Sequence, residues 1–507
     1  MTLTMTDLFC GAGGSSTGAI QVPGVSVRMA ANHWRLAVDT HNTNHPATDH
    51  DCADVSQVDP RRYPATDILW ASPSCTNHSI AKGARRRPAQ GSLFDDEAPL
   101  PDEAATRSRA TMWDVVRFAE HHRYRAIVVE NVVDVRDWEL FGAWRLALQA
   151  LGYCLHQVFM NSMFAAALGP AAPQSRDRWY AVAHRAPSPC PDLDRWTRPT
   201  AHCPTCDRLV RAVQAWKRHD RPGGRYRAQY VWRCPTARCH VEVHPAVRPA
   251  ADAIDWTVPG QRIGDRLRPL AAKTLARIRA GLAKYARPLT TPDTGGAYAP
   301  FVAELRGGGS DHRPVSAPLA TVCASGNHHG LVTAAGHAIV MRNNTPRGDA
   351  GQMCTPATEP LRTLTTAGHQ SLITWPPPLL VPSGGTWNED AQPVDEPMRT
   401  RTTRETDALL VPYYGNGNAR PVAEPASTVT THERHALIVT DVDIEDCLFR
   451  MLAVPEIQAA MAFPTEYLLL GTKRERVRMA GNAVTPPAAR DLIAAVAHAL
   501  TGEETCT

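Results

Sequence analysis

The first 185 residues alternate between short apolar runs and longer amphipathic stretches. The apolar runs read as strands at Met5–Phe9, Val25–Ala31, Asp67–Ala71, Ala126–Glu130 and Arg178–His184. Helical patterns lie between them at Ser15–Gln21, Arg35–His41, Thr106–His122 and Leu140–Leu151. This alternation predicts a parallel α/β sheet with right-handed crossovers. Because open sheets of this kind bind ligands at the carboxyl ends of their strands, we look for chemistry where the runs end.

The first run ends in a glycine-rich turn, "DLFCGAGGSSTG" (Asp7–Gly18). Glycines after a strand let the backbone approach a ligand, and helix N-terminal amides bind anionic groups. Phe9 suits stacking on an adenine ring, and the absence of a Walker lysine argues against an NTPase. Asp54, after the next short segment, is a candidate acceptor for an adenine amino group.

Two further runs end in reactive side chains. Cys75 follows "ILWASPS", and as a lone cysteine it could be a buried thiol, a metal ligand or a nucleophile. Glu130 ends the strand "AIVVE", where a poorly solvated carboxyl group suits a general acid, although a strand-end capping role is an equal alternative.

In "PQSRDRWYAVA", Gln174, Arg176 and Arg178 alternate, so on a strand they share one face. Three donors on one edge could orient a carboxylate, a carbonyl or a phosphate. The alternative is a solvated basic strand face.

The composition, 43% hydrophobic and 21% charged over 507 residues, suits a globular chain of two or three domains. No apolar run approaches the roughly 18 residues that span a bilayer, and "MTLTMTDLFCGAGG" lacks the pattern of a signal peptide. We therefore expect a reducing cytoplasm. In that setting the 13 cysteines are thiols, metal ligands or catalysts rather than a disulfide framework.

The middle of the chain, from about Arg185 to Asp441, loses this rhythm and is rich in proline, threonine, glycine and arginine. A degenerate repeat begins at Arg313, Thr355, Gln392 and Arg420, as in "RPVAEPASTVTT". Its irregular spacing predicts short β units in one elaborated domain rather than a solenoid, with a low-complexity linker as the alternative.

Residues 201–290 of this middle part contain 18 Lys and Arg against 6 Asp and Glu. Such an excess is typical of a phosphate-binding surface, although a solvated basic face is the alternative. The same stretch contains two cysteine pairs, Cys203/Cys206 and Cys234/Cys239, whose spacing predicts a zinc ribbon with four thiolate ligands, with unpaired thiols as the alternative. His202 or His240 could replace one thiolate. Such a ribbon, carrying Arg225, Tyr226, Arg227 and Trp232, would be a DNA-contacting module.

Six segments together resemble the DNA cytosine-5 methyltransferases, in that family's order. They are "DLFCGAGG", "SPSC", "ENV", "QSRDR", "FRMLAVPEIQAAMAFP" and "GNAVTPP". The resemblance covers about the first 185 and the last 60 residues, and the family places its variable target-recognition domain between them. It implies a Rossmann-like S-adenosylmethionine-dependent α/β domain with a large, mostly β or irregular recognition insertion.

On this resemblance the chain divides into residues 1–185 (the first catalytic part), 186–445 (recognition region) and 446–507 (the late motifs and a C-terminal helix completing the catalytic domain). The zinc ribbon would occupy about residues 200–242 and the repeats about 300–440. An amphipathic helix is predicted from about Pro487 to Leu500.

The resemblance also implies the roles of individual residues. Cys75 would be the nucleophile, Glu130 would act at the cytosine ring nitrogen N3, Arg178 would donate to the base carbonyl, and Arg176 would support the site. The methyl donor, S-adenosylmethionine, would be held by residues from four segments: Phe9, Gly11, Gly13, Gly14, His33, Trp34, Asp54, Asn482 and Val484.

Two positions depart from the family pattern. Ser74 stands where the second of two prolines is usual, and His33 stands where a glutamate usually contacts the ribose. Apart from C5 methylation of DNA, two alternatives are a DNA-binding regulator on a degenerate scaffold and an RNA cytosine methyltransferase. We expect a monomeric protein of prokaryotic or phage origin. We expect its partner to be double-stranded DNA, and we expect no association with a membrane. A cognate restriction endonuclease would act independently of it.

Overall fold

The computed structural model describes residues 2–73, residues 101–279 apart from six single positions (221, 256, 259, 271, 273 and 277), short strands between 319 and 437, and residues 444–502. Side chains are described for the same parts except residues 101–109, residue 446 and the strands between 319 and 437. Cys75 and Ser74, and most of the Pro/Thr repeat, lie outside the described residues.

A seven-stranded sheet forms the centre of the catalytic part, in the order β3-β2-β1-β4-β5-β8-β6. Its strands are β1 (Leu3–Leu8), β2 (Val25–Ala31), β3 (Asp49–Asp51), β4 (Ile68–Ala71), β5 (Ala126–Asn131), β6 (Tyr153–Asn161) and β8 (Asp177–Arg185). The short strand β7 (Gln174–Ser175) precedes β8 and lies outside this sheet. The five predicted strands are all present. The strands β3 and β6 were not predicted.

The prediction of a parallel sheet is wrong for one strand, because β8 runs antiparallel to both of its neighbours, β5 and β6. Strand β8 follows β6 after a 15-residue connection that contains no α-helix, only a single 3-10 turn at Ser162–Phe164 and β7. Adjacent antiparallel strands need no crossover helix, so this connection suffices. Strand β6 is therefore the outermost strand on that side of the sheet.

Eight α-helices are described besides the helical residues near 272–279. They are α1 (Gly14–Ala19), α2 (Arg35–Asn44), α3 (Pro101–His122), α4 (Phe141–Ala150), α5 (Leu193–Thr197), α6 (Val454–Ala460), α7 (Lys473–Asn482) and α8 (Pro486–Thr501). Short 3-10 helices occur at Val55–Gln57, Pro60–Arg62, Val133–Asp137, Ser162–Phe164, Ala250–Ala253 and Ile444–Asp446. Within the described chain, no helix is both long and apolar enough to cross a bilayer.

Helices cover both faces of the sheet, and central strands such as β5 are therefore buried on both sides. On one face, α1 and α8 pack on Met5, Trp70 and Val128. On the other face, α3 and α4 pack on Leu69, Ile127 and Ala181. Helices α2, α6 and α7 share a third cluster beside the glycine turn. The predicted C-terminal helix is thus confirmed as α8, and it is an integral layer of the first domain.

The recognition region begins with two small antiparallel pairs. Strand β9 (Thr200–Cys203) pairs with β10 (Arg208–Arg211), and β11 (Val213–Trp216) pairs with β12 (Tyr230–Arg233). The remaining strands are β13 (Gln261–Arg262), β14 (Leu319–Ala320), β15 (Gly330–Ala334), β16 (His337–Arg342), β17 (Cys354–Pro356), β18 (Leu361–Arg362), β19 (Gln370–Trp375), β20 (Leu379–Leu380), β21 (Pro382–Ser383), β22 (Gln392–Pro393), β23 (Thr406–Asp407), β24 (Leu410–Pro412), β25 (His435–Leu437) and β26 (Leu448–Met451).

Six of these strands form one sheet in the order β13-β26-β15-β19-β16-β17. Strand β26 immediately precedes α6, so this sheet is joined to the late part of the catalytic domain at Leu452 and Ala453. The strands agree with the expected β character of the insertion. The proposed domain boundaries themselves stay predictions.

A buried polar network lies under the glycine turn. The Asp7 Oδ2 atom accepts hydrogen bonds from Ser15 Oγ at 2.6 Å and Ser16 Oγ at 2.7 Å. Because the Ser16 proton points to Asp7, His41 Nε2 donates to Ser16 Oγ at 2.9 Å, and His41 Nδ1 accepts from His50 Nε2 at 2.8 Å. His45 Nε2 lies 3.1 Å from the hydroxyl of Thr17. The turn is thus fixed from below by neutral imidazoles.

Burial sets the protonation of this network in two opposing directions. Loss of solvation lowers the pKa of His41 well below its ordinary value and lowers the pKa of His45 to about 4. The same effect raises the pKa of Asp7 to about 6. The histidines therefore stabilise the fold above pH 6.5 and lose that contribution as the pH falls towards 4. Asp7 has the opposite effect on stability. Its carboxyl group binds a proton more tightly in the folded protein, so its contribution to stability decreases as the pH rises towards 6.

We predict that His45→Gln reduces the acid sensitivity of the protein between pH 6.5 and 4. The unfolded chain protonates His45 in this window while the folded chain does not, and removing it saves on the order of 2 kcal/mol at pH 4. Urea unfolding at several pH values measures this, with His121→Asn at the exposed end of α3 as the control. Equal pH slopes for His45→Gln and the unsubstituted protein would contradict the prediction.

Candidate active site

The carboxyl ends of the parallel strands meet at one edge of the sheet. Leu8 on β1 pairs with Ala71 on β4, and Ala71 pairs with Val129 on β5. The residues that follow these three, Phe9, Ser72 and Glu130, are therefore aligned side by side. The expected convergence of the glycine turn, the cysteine segment and the "ENV" segment is present in the strand register. We call this edge the catalytic rim.

Asn131 anchors the segment that leads to Cys75. Its Nδ2 atom donates to the Pro73 carbonyl at 3.3 Å, and its own Oδ1 accepts from Val132 N at 2.8 Å. The Trp70 indole donates to Ser72 Oγ at 3.0 Å. Asn131 thereby fixes the position of Pro73, the last described residue before Cys75. Asn131 was not among the predicted site residues, although an amide directly after an apolar strand is visible in the sequence.

Glu130 and Arg178 form an ion pair on the rim. Arg178 Nε lies 2.8 Å from Glu130 Oε1, and the two side chains are 12% and 11% exposed. Antiparallel pairing of β5 with β8 sets this contact, since Glu130 is opposite Tyr180 and Asn131 opposite Trp179. A carboxyl group and a guanidinium with this little exposure can meet a ring nitrogen and a carbonyl oxygen of one base. The structure therefore brings together two of the predicted catalytic residues.

Gln174 and Arg176 hydrogen-bond backbone carbonyls of the late part of the chain, whereas Arg178 pairs with Glu130, so the three predicted donors have different partners. The strand is interrupted at Arg176, between β7 and β8. Gln174 Nε2 donates to the Ala460 carbonyl at 3.2 Å. Arg176, 2% exposed, donates to the carbonyls of Ala483 at 3.0 Å and Gly481 at 3.3 Å. Arg176 thus holds the late "GNAV" segment and positions the site from behind.

The late segment is held against the glycine turn by a close backbone approach. A Cβ atom at Gly14 would lie 1.9 Å from the Val484 carbonyl oxygen, so only glycine fits. The Tyr467 hydroxyl donates to the Ala12 carbonyl on the same side. These contacts join residues that are more than 450 positions apart and explain why the first and last motifs occur in one chain.

The glycine turn offers room for an adenosyl ligand. Gly11 has a φ of 54°, and a Cβ atom there would have no neighbour within 4 Å. Phe9 also has a positive φ of 60°, a conformation that costs an aromatic residue about 1–3 kcal/mol and is concentrated at ligand sites. An open glycine backbone beside an aromatic ring fits the predicted cofactor.

The other predicted cofactor residues differ in whether their side chains make contacts within the protein or are exposed. Trp34 packs under the Arg478 guanidinium at 4.7 Å, and Asp54 caps a 3-10 helix through Ser56 N at 3.1 Å. His33 and Asn482 are exposed. Their assignment to S-adenosylmethionine stays a prediction, as does that of the catalytic residues.

Four cysteines converge in the small sheets of the recognition region. Cys203 Sγ lies 3.6 Å from Cys239 Sγ, and Cys206 Sγ lies 3.8 Å from Cys234 Sγ. All four sulfur atoms lie within 4.8 Å of one another. Tetrahedral Zn–S bonds of about 2.3 Å place sulfur atoms about 3.8 Å apart, so the four thiols fit zinc. Hydrogen bonds from Thr236 lower the pKa of the Cys234 thiol, which favours a thiolate ligand.

Neither neighbouring histidine takes part in this cluster. His202 is exposed and its Nε2 pairs with Asp207 at 3.2 Å, and His240 is exposed. Of the alternatives for the ligand set, four thiols are therefore the arrangement that the geometry favours.

The expected DNA-contacting role of Tyr226 and Trp232 is wrong, because both rings are buried. They pack edge-on against Phe164 of the catalytic part, at centroid distances of 5.0 Å and 5.5 Å. Arg225 pairs with Asp134 at 2.5 Å, and Tyr226 N donates to Asp177 at 3.1 Å. These residues fix the small sheets beside the catalytic rim.

The basic side chains of the small sheets face solvent instead. Exposed cations at these positions are Arg208, Arg211, Lys217, Arg218, Arg227, Arg233 and Arg238. The region therefore presents arginine and lysine outward while its aromatic residues form the interface.

Residues 3–205 match the family of C-5 cytosine-specific DNA methylases. The matched stretch contains the glycine turn, Glu130, Asn131 and Arg178, and it ends within the first cysteine pair. This part of the chain is therefore similar in sequence to the C-5 cytosine-specific DNA methylases, and its strands form a mixed α/β sheet covered by helices.

Individual relatives are more distant. A protein of Herpetosiphon aurantiacus described as the Type II methyltransferase M.HgiDI is 26% identical over 182 residues. The match covers 35% of this chain and 51% of that protein, so the chain spans about half the length of this relative.

Solved structures that align along the whole chain include a Spodoptera frugiperda DNMT2 variant, with 12% identity and a TM-score of 0.44 over 98% of this chain and 99% of that one. The Entamoeba histolytica methyltransferase EhMeth aligns with 8% identity and a TM-score of 0.43, over 99% and 98%.

We predict that Gly14→Ala lowers the stability of the catalytic domain by about 3 kcal/mol, because the added methyl group meets backbone that cannot move independently. Unfolding in urea followed by tryptophan fluorescence measures the change. Gly142→Ala is a matched control: it lies in α4, a Cβ there meets nothing within 4 Å, and alanine favours a helix by up to about 1 kcal/mol. Equal midpoints for the two variants would rule out the close approach.

Proposed function

We propose that the protein transfers the methyl group of S-adenosylmethionine to C5 of a cytosine in a specific sequence of double-stranded DNA. The observation that carries this proposal is the Glu130–Arg178 pair on the catalytic rim, between the glycine turn and the segment that leads to Cys75, in a part of the chain that is similar in sequence to the C-5 cytosine-specific DNA methylases. The target base must leave the duplex stack to reach such a rim.

In the proposed mechanism, the Cys75 thiolate forms a bond to C6 of the cytosine. Glu130 donates a proton or hydrogen bond at N3, so the electron pair released by the attack makes C5 nucleophilic. Bound S-adenosylmethionine would supply the methyl group for C5. A base then removes the C5 proton, the C5–C6 double bond re-forms, and Cys75 leaves. Arg178 orients Glu130 and the base carbonyl, and Arg176 holds the Gly481–Ala483 backbone.

The methyl donor would lie between the glycine turn and the "GNAV" segment. The residues proposed to hold it are Phe9, Gly11, Gly13, Gly14, His33, Trp34, Asp54, Asn482 and Val484. The neutral His33 imidazole can still hydrogen-bond a ribose hydroxyl where the family usually has a carboxylate.

Sequence-specific duplex DNA is supported by the exposed cations of the small sheets, which lie next to the rim. The description of the Herpetosiphon relative as a Type II methyltransferase supports a role in restriction-modification, with a cognate endonuclease acting independently. Bisulfite sequencing of DNA from expressing cells would identify the modified sequence.

We predict that Cys75→Ala abolishes methyl transfer, by on the order of 10³-fold or more, while leaving S-adenosylhomocysteine binding intact. Tritiated methyl transfer to mixed-sequence duplex DNA measures the first effect and calorimetry the second. Glu130→Gln in the same assay should lose about 10²–10⁴-fold. His121→Asn, an exposed histidine at the end of α3, is the control.

A second readout isolates the covalent step. Duplex DNA with 5-fluorocytosine keeps its C5 fluorine, so the base cannot be released, and a denaturation-resistant complex should form with the unsubstituted protein but not with Cys75→Ala. Undiminished transfer by Cys75→Ala would overturn the mechanism. Transfer to RNA but not to duplex DNA would overturn the substrate, and failure to bind S-adenosylhomocysteine would favour a degenerate scaffold.

We further propose that Cys203, Cys206, Cys234 and Cys239 hold a structural zinc ion, which ties the two small antiparallel pairs together. So small a unit folds through its metal. We predict that Cys206→Ser lowers the zinc content by one ion per chain and weakens DNA binding without loss of S-adenosylhomocysteine binding. Mass spectrometry for metals and a DNA mobility assay test this, with Cys52→Ser, a cysteine outside the four-cysteine cluster, as control. Unchanged zinc content would contradict the assignment.

A further inference from the structure

Four potential metal ligands lie at the end of the sheet opposite the catalytic rim. Cys154 and His156 are on the outermost strand β6, His184 is near the end of β8, and Cys190 follows β8. Cys154 is directly opposite His184 in the strand pairing, and His156 is two residues further along β6, so all three side chains share one face. No role in the proposed methyl transfer uses any of them.

Three ligand atoms of this group are close enough to one another to bind one ion, and the Cys190 sulfur lies beside one of them. Cys154 Sγ lies 3.6 Å from His156 Nε2, and Cys190 Sγ lies 3.3 Å from the same nitrogen. The ligand atoms of Cys154, His156 and His184 all lie within 4.8 Å of one another. Tetrahedral zinc with Zn–S of about 2.3 Å and Zn–N of about 2.0 Å separates sulfur from nitrogen by about 3.5 Å. The separations of Cys154 Sγ and Cys190 Sγ from His156 Nε2 match that arrangement.

The Nε2 atom of His184 has its lone pair available for a metal ion. Its Nδ1 lies 3.0 Å from the Ser188 carbonyl, an acceptor, so the ring proton is on Nδ1 and the lone pair is on Nε2. The Nε2 atom is buried and has no hydrogen-bond partner among the described residues. A backbone carbonyl that fixes the imidazole tautomer is the usual second partner of a histidine ligand. The His156 ring stacks on His184 at 5.6 Å with an angle of 12°.

Hydrogen bonds between the thiols and the imidazoles explain these contacts less well than a bound metal ion does. Two thiols approach one nitrogen, His156 Nε2, which has a single lone pair, and the lone pair of His184 Nε2 faces no donor. A divalent cation between the two sulfur atoms would use both imidazole lone pairs.

We propose that Cys154, His156, His184 and Cys190 form a second zinc site, independent of the four-cysteine cluster and of the proposed reaction. Binding would release the two thiol protons and leave a neutral Zn(Cys)₂(His)₂ centre. His184 is six residues from Arg178 on β8, about 20 Å along the strand, so the ion is structural. It would fasten the edge strand β6 to the segment after β8, which leads through α5 to the small sheets.

The zinc content of the untagged full-length protein, purified without chelators, tests the proposal. His184→Asn and Cys154→Ser should each lower the content by one ion per chain relative to the unsubstituted protein, and each loss should add to that of Cys206→Ser. His121→Asn, an exposed histidine at the end of α3, is the matched control and should change nothing. An unchanged content in His184→Asn overturns the site, whatever the four-cysteine cluster holds.

A measurement on the unsubstituted protein keeps the test valid if a variant misfolds. Cys154 and Cys190 are exposed, so without a metal they should react quickly with iodoacetamide. We expect both to be protected until a strong chelator is added, while Cys52, half-buried and outside both clusters, reacts equally in both conditions. Equal alkylation of Cys154 and Cys190 with and without chelator, or a disulfide between them in peptide mapping, overturns the proposal.

Discussion

The packing of α1 against α8 is the contact on which the rest of the molecule depends. Gly14 and Gly18 lack Cβ atoms, which would clash with the backbone of Val484 and Pro486. Because they lack them, α1, near the start of the chain, can pack against the first residues of α8, near its end. One face of the central sheet is covered only when these two helices are together. The recognition region must therefore leave and return to the same domain, and this places its small sheets beside the catalytic rim.

The rim combines a rigid scaffold with side chains fixed by opposite strands. Parallel pairing of β1, β4 and β5 aligns their ends, and the antiparallel strand β8 brings Arg178 to Glu130. The single reversed strand is thus what gives Glu130 its guanidinium partner. A fully parallel sheet would have placed the start of that strand at the opposite edge.

Much of the central fold could be predicted because its strands are continuous apolar runs, as in β2 and β5. Strand β6 was missed, since its first half alternates Cys154 and His156 with less polar residues and resembles a loop. The four-cysteine cluster was visible in the sequence because each pair of cysteines has a short, fixed spacing. The Cys154/His156/His184/Cys190 group was not, because its members meet only through strand pairing.

Other features depend on partners that no local pattern reveals. Tyr226 and Trp232 look like exposed recognition residues until Phe164 is seen to cover them. Arg176 and Arg178 are two positions apart, yet one faces backbone carbonyls and the other a carboxylate, because the strand breaks between them. Aromatic and cationic side chains serve interfaces and ligands equally well, so their roles follow from tertiary contacts.

The position of α8 has a consequence for how the protein is made. Roughly 300 residues separate the end of β8 at Arg185 from the start of α8 at Pro486. At about 5–20 residues per second, the ribosome needs roughly 15–60 s to synthesise them. During that time the apolar face formed by Met5, Trp70 and Val128 is covered by α1 alone. The part of this face under α8 stays exposed to water until the last helix has been synthesised.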